Sequence, residues 1–325
     1  MNLNVNQKIA VIIPCYRVKA FVLDVIKKIG AEVDFIIAVD DKCPENSGEF
    51  IQKSCDDKRL SVIFHDENKG VGGAVISGYN AALELGATIF VKIDGDGQMD
   101  PKIMPSIIAP ILSGLADYTK GNRFHSFYNV REMPKFRLFG NACLSFLTKI
   151  SSGYWSLFDP TNGYTAIHRA ALEKIELQNV SERYFFETDM LIKLGDSRAV
   201  IMDVPMEAIY GDEESNLKIS NIFRQFITGN IKASIRRIIY SYYMRDFNIA
   251  SAELFLGLCF TIFGFLYGSV NWVLSIVNNE VASTGTVMLA TLPILLGVQM
   301  LLAFLNYDVG NEPKVPLQKF YTHNE

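Results

Sequence analysis

Two aspartates separated by one glycine lie in Val91–Pro101 (VKIDGDGQMDP), the stretch of this chain best suited to chemistry. An apolar run typical of a buried strand ends at Ile93, and the carboxylates of Asp94 and Asp96 and the amide of Gln98 follow it. Two carboxylates this close repel each other unless a cation lies between them. Such oxygen donors suit Mg²⁺ or Mn²⁺, which keep positions open for substrate phosphates. The stretch predicts either a metal site formed by Asp94, Asp96 and Gln98 or an exposed acidic turn.

A second acidic pair, Asp40 and Asp41, ends an earlier predicted strand, Val33–Val39. Apolar strand patterns alternate with helical patterns through this part of the chain, which predicts βαβ units and an α/β fold with a mostly parallel sheet. Ligands of such folds collect at the carboxyl ends of the strands. Both acidic pairs come at strand ends, so we expect them to face one crevice.

A glycine-rich helix start lies between the two acidic pairs, in the stretch Asn68–Leu85 (NKGVGGAVISGYNAALEL). Glycines let backbone approach a ligand closely, and a helix N-terminus favours negative charge. Neither a phosphate-binding Gly-Lys-Ser/Thr motif nor the dinucleotide glycine spacing is present here. The stretch predicts contact with a ligand, or else close packing of a helix on the sheet. Further on, the predicted strand Asp117–Arg123 carries Lys120 and Arg123, which could reach a diphosphate.

The carboxyl-terminal part of the chain has a different composition. Leu254–Val277 and Val287–Leu305 contain 24 and 19 residues without a formal charge, and each can span a hydrocarbon core of about 30 Å. Basic residues flank the outside of this hairpin and are missing from its connector, so the positive-inside rule predicts cytoplasmic termini. The alternative is a buried hairpin of a soluble domain. Small residues in the first span, Gly257, Gly264 and Gly268, are candidate contacts with a second copy.

The segment Ile219–Arg245 mixes basic residues with Ile, Phe and Tyr. This composition predicts a basic helix in the headgroup region of a membrane, with a solvated linker helix as the alternative. The net charge of the 325 residues is −4, which gives no global sign of nucleic-acid binding. Five scattered cysteines without metal-type spacing predict reduced thiols in a cytosolic setting.

Seven motifs taken together resemble the family 2 glycosyltransferases of the GT-A fold, and within them the polyprenyl-phosphate (dolichyl- and undecaprenyl-phosphate) hexosyltransferases. They stand in family order: IIPCY at Ile12–Tyr16, VDDKCPENSG at Val39–Gly48, NKGVGGAVISGYNAA at Asn68–Ala82, DGDGQMDP at Asp94–Pro101, KGNR at Lys120–Arg123, DPTNGY at Asp159–Tyr164 and FETD at Phe186–Asp189.

This resemblance implies a role for each matching residue. A nucleotide-sugar donor (UDP- or GDP-hexose) would be bound by Pro14, Tyr16, Asp40, Asp41, Gly70, Asp94 and Asp96. A divalent metal, Mg²⁺ or Mn²⁺, would be held by Asp94, Asp96 and Gln98. Catalytic roles fall to Asp96, Arg123, Asp159 and Glu187. The acceptor phosphate would meet Arg137, Asn141 and Lys218. The family's usual basic residues are replaced at Tyr210 and Asn216.

The implied reaction is metal-dependent transfer of a hexose to polyprenyl phosphate with inversion. A phosphate is already an anionic nucleophile, so no strong base is required. The alternative is transfer to a saccharide hydroxyl in cell-surface polysaccharide assembly, where Asp159 or Glu187 would act as the base. A non-catalytic scaffold is a third possibility, which the intact acidic motifs disfavour.

These inferences define three regions and one location. We expect a GT-A domain over residues 1–218, amphipathic interfacial helices over 219–250, and a transmembrane hairpin with a cytoplasmic tail over 251–325. The expected location is the inner (cytoplasmic) membrane as a multi-pass protein, with the catalytic domain and both termini in the cytoplasm. The expected partners are the donor, polyprenyl phosphate, the bilayer and possible further copies of the chain, but no nucleic acid.

Overall fold

A single sheet of seven strands forms the centre of the amino-terminal part of the protein. The computed structural model describes residues 7–125, 135–207 and 219–321. The strands are β1 (Ile9–Cys15), β2 (Phe35–Asp40), β3 (Leu60–Phe64), β4 (Ile89–Lys92), β5 (Tyr118–Asn122), β6 (Thr165–His168) and β7 (Ile201–Pro205). Their order across the sheet is β3-β2-β1-β4-β6-β5-β7, and β6 runs antiparallel to both its neighbours. The sheet is therefore mostly parallel, as predicted, but β6 was not anticipated.

Helices cover both faces of this sheet. They are α1 (Val22–Lys27), α2 (Ser47–Ser54), α3 (Gly70–Glu84), α4 (Met104–Leu112), α5 (Lys135–Ser152), α6 (Arg169–Leu172) and α7 (Phe186–Ser197). Strand side chains alternate between faces. Val11 and Ile13 of β1 pack in one apolar core, whereas Ala10 and Ile12 pack in the core on the other face. Burial on both faces explains why β1 is a continuous apolar run in the sequence.

The chain divides into two compact units, Met1–Ala233 with Pro313–Glu325, and Ser234–Glu312. The division differs from the predicted boundaries at 218 and 250. The observed boundary between Ala233 and Ser234 lies within helix α8 (Ile219–Ile239). The Asn230 side chain of α8 accepts a hydrogen bond from Ser151 in α5 at 2.6 Å. The part of α8 around Asn230 is thus attached to the first unit.

The segment that follows the second unit also belongs to the first. The Asp117 carboxylate, fully buried before β5, accepts the backbone amides of Leu317 and Gln318 at 2.8 and 2.9 Å, together with that of Val200 at 2.9 Å. The Gln318 side chain donates to the carbonyl oxygens of Ile111 and Ala116. We call residues Pro313–Tyr321 the C-terminal strap. A tail was predicted here, but not its attachment.

Within the second unit, α9 (Ile249–Asn278) and α10 (Thr284–Gly310) pair as a hairpin. Both are long and apolar enough to cross a membrane. A Cβ added at Gly297 would lie 2.7 Å from the Thr261 amide nitrogen, and one added at Gly264 would lie 2.7 Å from the Ala290 carbonyl oxygen. Gly257 and Gly268 also face α10. The glycines considered as contacts with a second copy therefore serve the pairing of the two helices.

Candidate active site

A cleft of about 760 Å³ opens at the carboxyl ends of β1, β2 and β4. The chain order of the strands reverses at β1, and this is where α/β sheets place their ligands. Six residues predicted to bind a donor line this cleft: Pro14, Tyr16, Asp41, Gly70, Asp94 and Asp96. The structure thus brings together motifs that come from three separate strand ends.

The acidic turn after β4 forms one wall of the cleft. Gly97 adopts a positive φ of 80°, which glycine tolerates without strain, and the Gln98 amide donates to Asp96 Oδ1 at 2.9 Å. The Gln98 side chain is absent from the described lining of the cleft, so its role as a ligand stays a prediction. Two carboxylates on one turn suit a hard cation that takes its other ligands from phosphate and water. Across the described ranges, no three His, Cys, Asp or Glu side chains converge as a ready metal cage.

A buried lysine lies directly beneath this turn. Lys92, the last residue of β4, is 1% exposed, and its Nζ lies 2.9 Å from Asp94 Oδ1 and 3.2 Å from Glu187 Oε1. Burial by itself would lower the pKa of Lys92, but the two carboxylates outweigh it and raise that pKa. Lys92 therefore remains an ammonium ion that joins the acidic turn to the first turn of α7.

The two aspartates at the end of β2 have different positions. Asp41 lines the cleft, and its carboxylate accepts the amides of Lys69 and Gly70 at 2.8 and 2.7 Å, which fixes the start of α3. Asp40 does not line the cleft. Its oxygens accept the amides of Cys43 and Gly48 at 2.7 and 2.6 Å. Asp40 therefore shapes the loop before α2, and its direct contact with a donor stays a prediction.

The glycine-rich start of α3 serves both ligand access and packing. Gly70 lines the cleft with φ at 88°. A Cβ at Gly72, however, would lie 2.5 Å from the Ser181 carbonyl oxygen. Asp189 of α7 accepts hydrogen bonds from the amide and hydroxyl of Ser181. The segment before α7 thus crosses the start of α3, and Gly72 is required by that crossing.

Arg123 and Asp159 were predicted to act separately, but they form one pair. The Arg123 Nε lies 2.8 Å from Asp159 Oδ2, and Nη2 lies 3.1 Å from Oδ1. Asp159 is fully buried. Neither residue belongs to the described lining of the cleft, so contact of Asp159 with a transferring sugar stays a prediction.

Lys120 does not reach the cleft, contrary to expectation. Its side chain is fully buried and donates to the Asn162 carbonyl oxygen. Burial lowers the pKa of Lys120 to about 8. The register explains this position, because Lys92, Thr165 and Lys120 form one row across β4, β6 and β5. The row lies inside the fold, beneath the strand ends.

The side chains expected to bind the acceptor phosphate are not described by the structure. Arg137 and Asn141 fall on α5, but the structure does not describe their side chains. Lys218, together with Tyr210 and Asn216, lies outside the described residues. Their roles stay predictions.

Sequence reasoning missed two arginines of the cleft. Arg17, next to Tyr16, and Arg183, in the segment before α7, both line it. The Arg183 Nη2 donates to the Asn68 carbonyl oxygen at 3.3 Å. Arg17 adjoins a predicted donor residue and could have been inferred. Arg183 lies 115 positions from Asn68 and carries no local signal.

Comparison with known proteins decides the family. The family model described as "Glycosyl transferase family 2" matches residues 10–176, more than half of the chain. This protein belongs to glycosyl transferase family 2. The matched range contains the lining residues from Pro14 to Asp96 and the Arg123–Asp159 pair, so the cleft is the candidate active site of a glycosyltransferase.

Three relatives of this glycosyltransferase have names that specify a polyprenyl-phosphate acceptor or product. It is 31% identical over 219 residues to the UDP-N-acetylglucosamine–dolichyl-phosphate N-acetylglucosaminyltransferase of Methanococcus voltae, covering 63% of this chain and 87% of that protein. It is 27% identical over 206 residues to the polyprenol monophosphomannose synthase of Mycolicibacterium smegmatis, covering 62% and 77%. The undecaprenyl-phosphate mannosyltransferase of Micrococcus luteus is 28% identical over 173 residues, covering 53% and 70%.

Solved structures support the fold. The glucosyl-3-phosphoglycerate synthase of Mycobacterium tuberculosis, crystallised with Mn²⁺, UDP and glucosyl-3-phosphoglycerate, matches this glycosyltransferase with a TM-score of 0.54 at 19% identity. The match covers 70% of this chain and 80% of that one. The first unit therefore has the GT-A type of fold.

Proposed function

We propose that this family 2 glycosyltransferase transfers a hexose from a nucleotide-sugar to polyprenyl phosphate at the surface of a membrane. The observation that carries the proposal is the cleft, which collects Pro14, Tyr16, Asp41, Asp94 and Asp96 at one reversal of strand order. The names of the curated relatives support the lipid-phosphate acceptor.

A divalent metal fits the acidic turn of this cleft. Asp94 and Asp96 would hold Mg²⁺ or Mn²⁺, with Gln98 as a further candidate. The bound cation would stabilise the negative charge of the departing nucleoside diphosphate. Arg17 and Arg183 line the same cleft and supply positive charge to a diphosphate donor.

The arrangement of the other acids favours a phosphate acceptor over a saccharide hydroxyl. A hydroxyl needs a base, and the two candidate bases are Asp159 and Glu187. Asp159 is paired with Arg123, and Glu187 lies 3.2 Å from Lys92. A carboxylate held by a cation is a poor proton acceptor. A phosphate monoester needs no such base, so it attacks the donor directly, and we expect inversion at the transferred carbon.

The second unit and α8 support a location at the bilayer. Ile231, Ile235 and Ile239 follow one another at four-residue spacing along α8, and each is about half exposed. This spacing gives an apolar stripe on one face of a helix that also carries arginines. The basic flanks of the α9–α10 hairpin favour cytoplasmic ends for both helices. The attachment of the strap to the first unit supports the same orientation, because both ends of the hairpin then connect to one domain.

An assay on membranes containing the full chain tests the proposal. Radiolabelled UDP-N-acetylglucosamine, UDP-glucose and GDP-mannose are each offered with undecaprenyl or dolichyl phosphate. We expect one donor to yield a lipid-extractable, acid-labile product, and chelation of divalent metal to abolish its formation. The variant Asp96→Ala should lose more than about 100-fold in rate, since it removes a charged group that stabilises the leaving group.

A nearby acid provides the matched control. Asp100 follows the same turn but caps the next helical turn by accepting the Lys102 amide, so Asp100→Ala should keep the rate within about threefold of the wild type. No transfer to any lipid phosphate from these donors would refute the acceptor class. Activity that survives chelation would refute the role of the metal.

A further inference from the structure

The ion pairs of Lys92 connect the candidate metal turn to α7. Its Nζ contacts Asp94 Oδ1 on one side and Glu187 Oε1 on the other. These carboxylates belong to residues 93 positions apart in the chain. Lys92 is 1% exposed, and a buried ammonium without counter-ions is costly.

The surroundings leave this lysine little freedom. A Cβ added at Gly163 would overlap the Lys92 Nζ and would lie 2.8 Å from Asp94 Oδ2. Backbone therefore closes the space beside the ammonium. The Lys92 ammonium therefore lies between Asp94 and Glu187 and contacts one oxygen of each.

This arrangement changes what the turn offers to a cation. Asp94 and Asp96 would by themselves carry two negative charges, and Glu187 lies close enough to share Lys92 with Asp94. Lys92 cancels one charge and occupies one oxygen of Asp94. Over the described part of the chain, no third His, Cys, Asp or Glu joins them as a ligand. A divalent cation at this turn thus has few carboxylate oxygens to bind and a reduced negative charge to attract it. A diphosphate would supply further oxygens and further negative charge.

We propose that Lys92 is a positioning residue that makes binding of the divalent cation depend on the nucleoside diphosphate. With Lys92 in place, the empty cleft holds the cation weakly, and the nucleotide and the cation bind together. The inference deepens the proposed function and rests on it in one respect, namely that the cleft accepts a nucleoside diphosphate. A lysine that only fills space would affect stability but not this dependence.

Binding of Mn²⁺ to the full chain in detergent, followed by electron paramagnetic resonance of the free ion, tests the proposal without any turnover. Wild-type protein is titrated with Mn²⁺ alone, then with Mn²⁺ and UDP, and with Mn²⁺ and GDP. We expect one nucleotide to tighten Mn²⁺ binding at least tenfold. In Lys92→Met the acids lose their counter-ion, so Mn²⁺ alone should bind at least tenfold more tightly than to the wild type.

A second variant predicts a shift in the opposite direction. In Glu187→Gln, Lys92 keeps Asp94 as its carboxylate partner and is no longer shared with Glu187, so it neutralises the charge of Asp94 more fully. Mn²⁺ alone should therefore bind more weakly than to the wild type. Thermal melting of each variant checks folding, and if Lys92→Met fails to fold, Glu187→Gln still decides. Opposite shifts in the two variants cannot arise from a loss of packing alone.

The outcomes separate this inference from the proposed function. The role of Lys92 is overturned if Lys92→Met binds Mn²⁺ alone with the wild-type affinity. If Lys92→Met does not fold, the same result in Glu187→Gln overturns it. Neither result affects the proposal that the cleft binds the donor. Equal Mn²⁺ affinity of the wild type with and without a nucleotide that itself binds overturns the dependence. The proposed function is overturned if neither UDP nor GDP binds in equilibrium dialysis. In that case the affinities of the variants for Mn²⁺ alone still decide whether Lys92 acts on the turn.

Discussion

Replacing Asp117 with alanine should detach the C-terminal strap from the first unit. The buried Asp117 carboxylate accepts the amides of Leu317 and Gln318 at 2.8 and 2.9 Å. Hydrogen bonds to a charged acceptor each contribute about 1.5–3 kcal/mol. Loss of both weakens attachment of the strap by about 3–6 kcal/mol, and each 1.4 kcal/mol is about a factor of ten. The equilibrium for opening of the strap should therefore rise roughly 10²- to 10⁴-fold.

Hydrogen exchange of the full chain, followed by mass spectrometry, measures this opening. In Asp117→Ala the peptide covering Leu317 and Gln318 should exchange at least about 100-fold faster than in the wild type. The peptide covering Ile9–Cys15 reports global unfolding, because its strand is buried in the centre of the sheet. Its exchange should change far less.

A milder variant gives the matched comparison. Gln318→Ala keeps the backbone amides on Asp117 and loses two neutral hydrogen bonds, to the Ile111 and Ala116 carbonyl oxygens. Each contributes about 0.5–1.5 kcal/mol, so exchange of the same peptide should rise less than in Asp117→Ala. The reasoning is refuted if Asp117→Ala leaves exchange at Leu317 and Gln318 at the wild-type rate.

Three further outcomes follow from the structure. Arg237→Met leaves the buried carboxylate of Asp308 without the guanidinium that donates to it at 2.8 and 2.9 Å, and the free energy of unfolding should fall by about 3–5 kcal/mol. The melting temperature in detergent should fall, and it should fall less in the double variant Arg237→Met/Asp308→Leu. Gly297→Ala places a Cβ against the backbone of α9 and should lower the melting temperature. Gly310 has open space around it, so Gly310→Ala should not. Equal effects of the two variants would contradict the helix pairing. Burial lowers the pKa of Lys120 from 10.5 to about 8, so between these pH values the unfolded state binds more protons and stability rises with pH. In melting curves between pH 7 and 10, the melting temperature of the wild type should increase relative to that of Lys120→Met above pH 8. A constant difference would contradict the shift.

Much of the cleft lining was predictable from the sequence because its signals are local. Pro14, Asp41 and Asp94 each lie at or just beyond the end of an apolar strand, and parallel strands bring such ends to one edge. The sequence does not distinguish Asp40 from Asp41, since neighbouring residues at a strand end point in different directions and the loop alone decides which carboxylate it uses.

The remainder depends on contacts between distant parts of the chain. Strand β6 has only four residues, too few for a periodic signal, and its antiparallel direction places Lys120 in an internal row. The pairing of Lys92 with Glu187 and the attachment of the strap to Asp117 join residues 95 and 200 positions apart. No periodicity or local motif encodes such pairs, because they form only when the sheet and its helices pack.

The reversed strand β6 separates two parts of the site that can diverge independently. The cleft-lining residues from Pro14 to Asp96 lie at the ends of strands in the parallel half of the sheet or in the loops that follow them. The segment that carries Asp159 instead reaches the same edge before β6 begins. Insertions or replacements between β5 and β6 therefore leave the register of β1, β2 and β4 untouched. A fold built in this way can change the segment between β5 and β6 during evolution while it keeps the cleft at the ends of β1, β2 and β4.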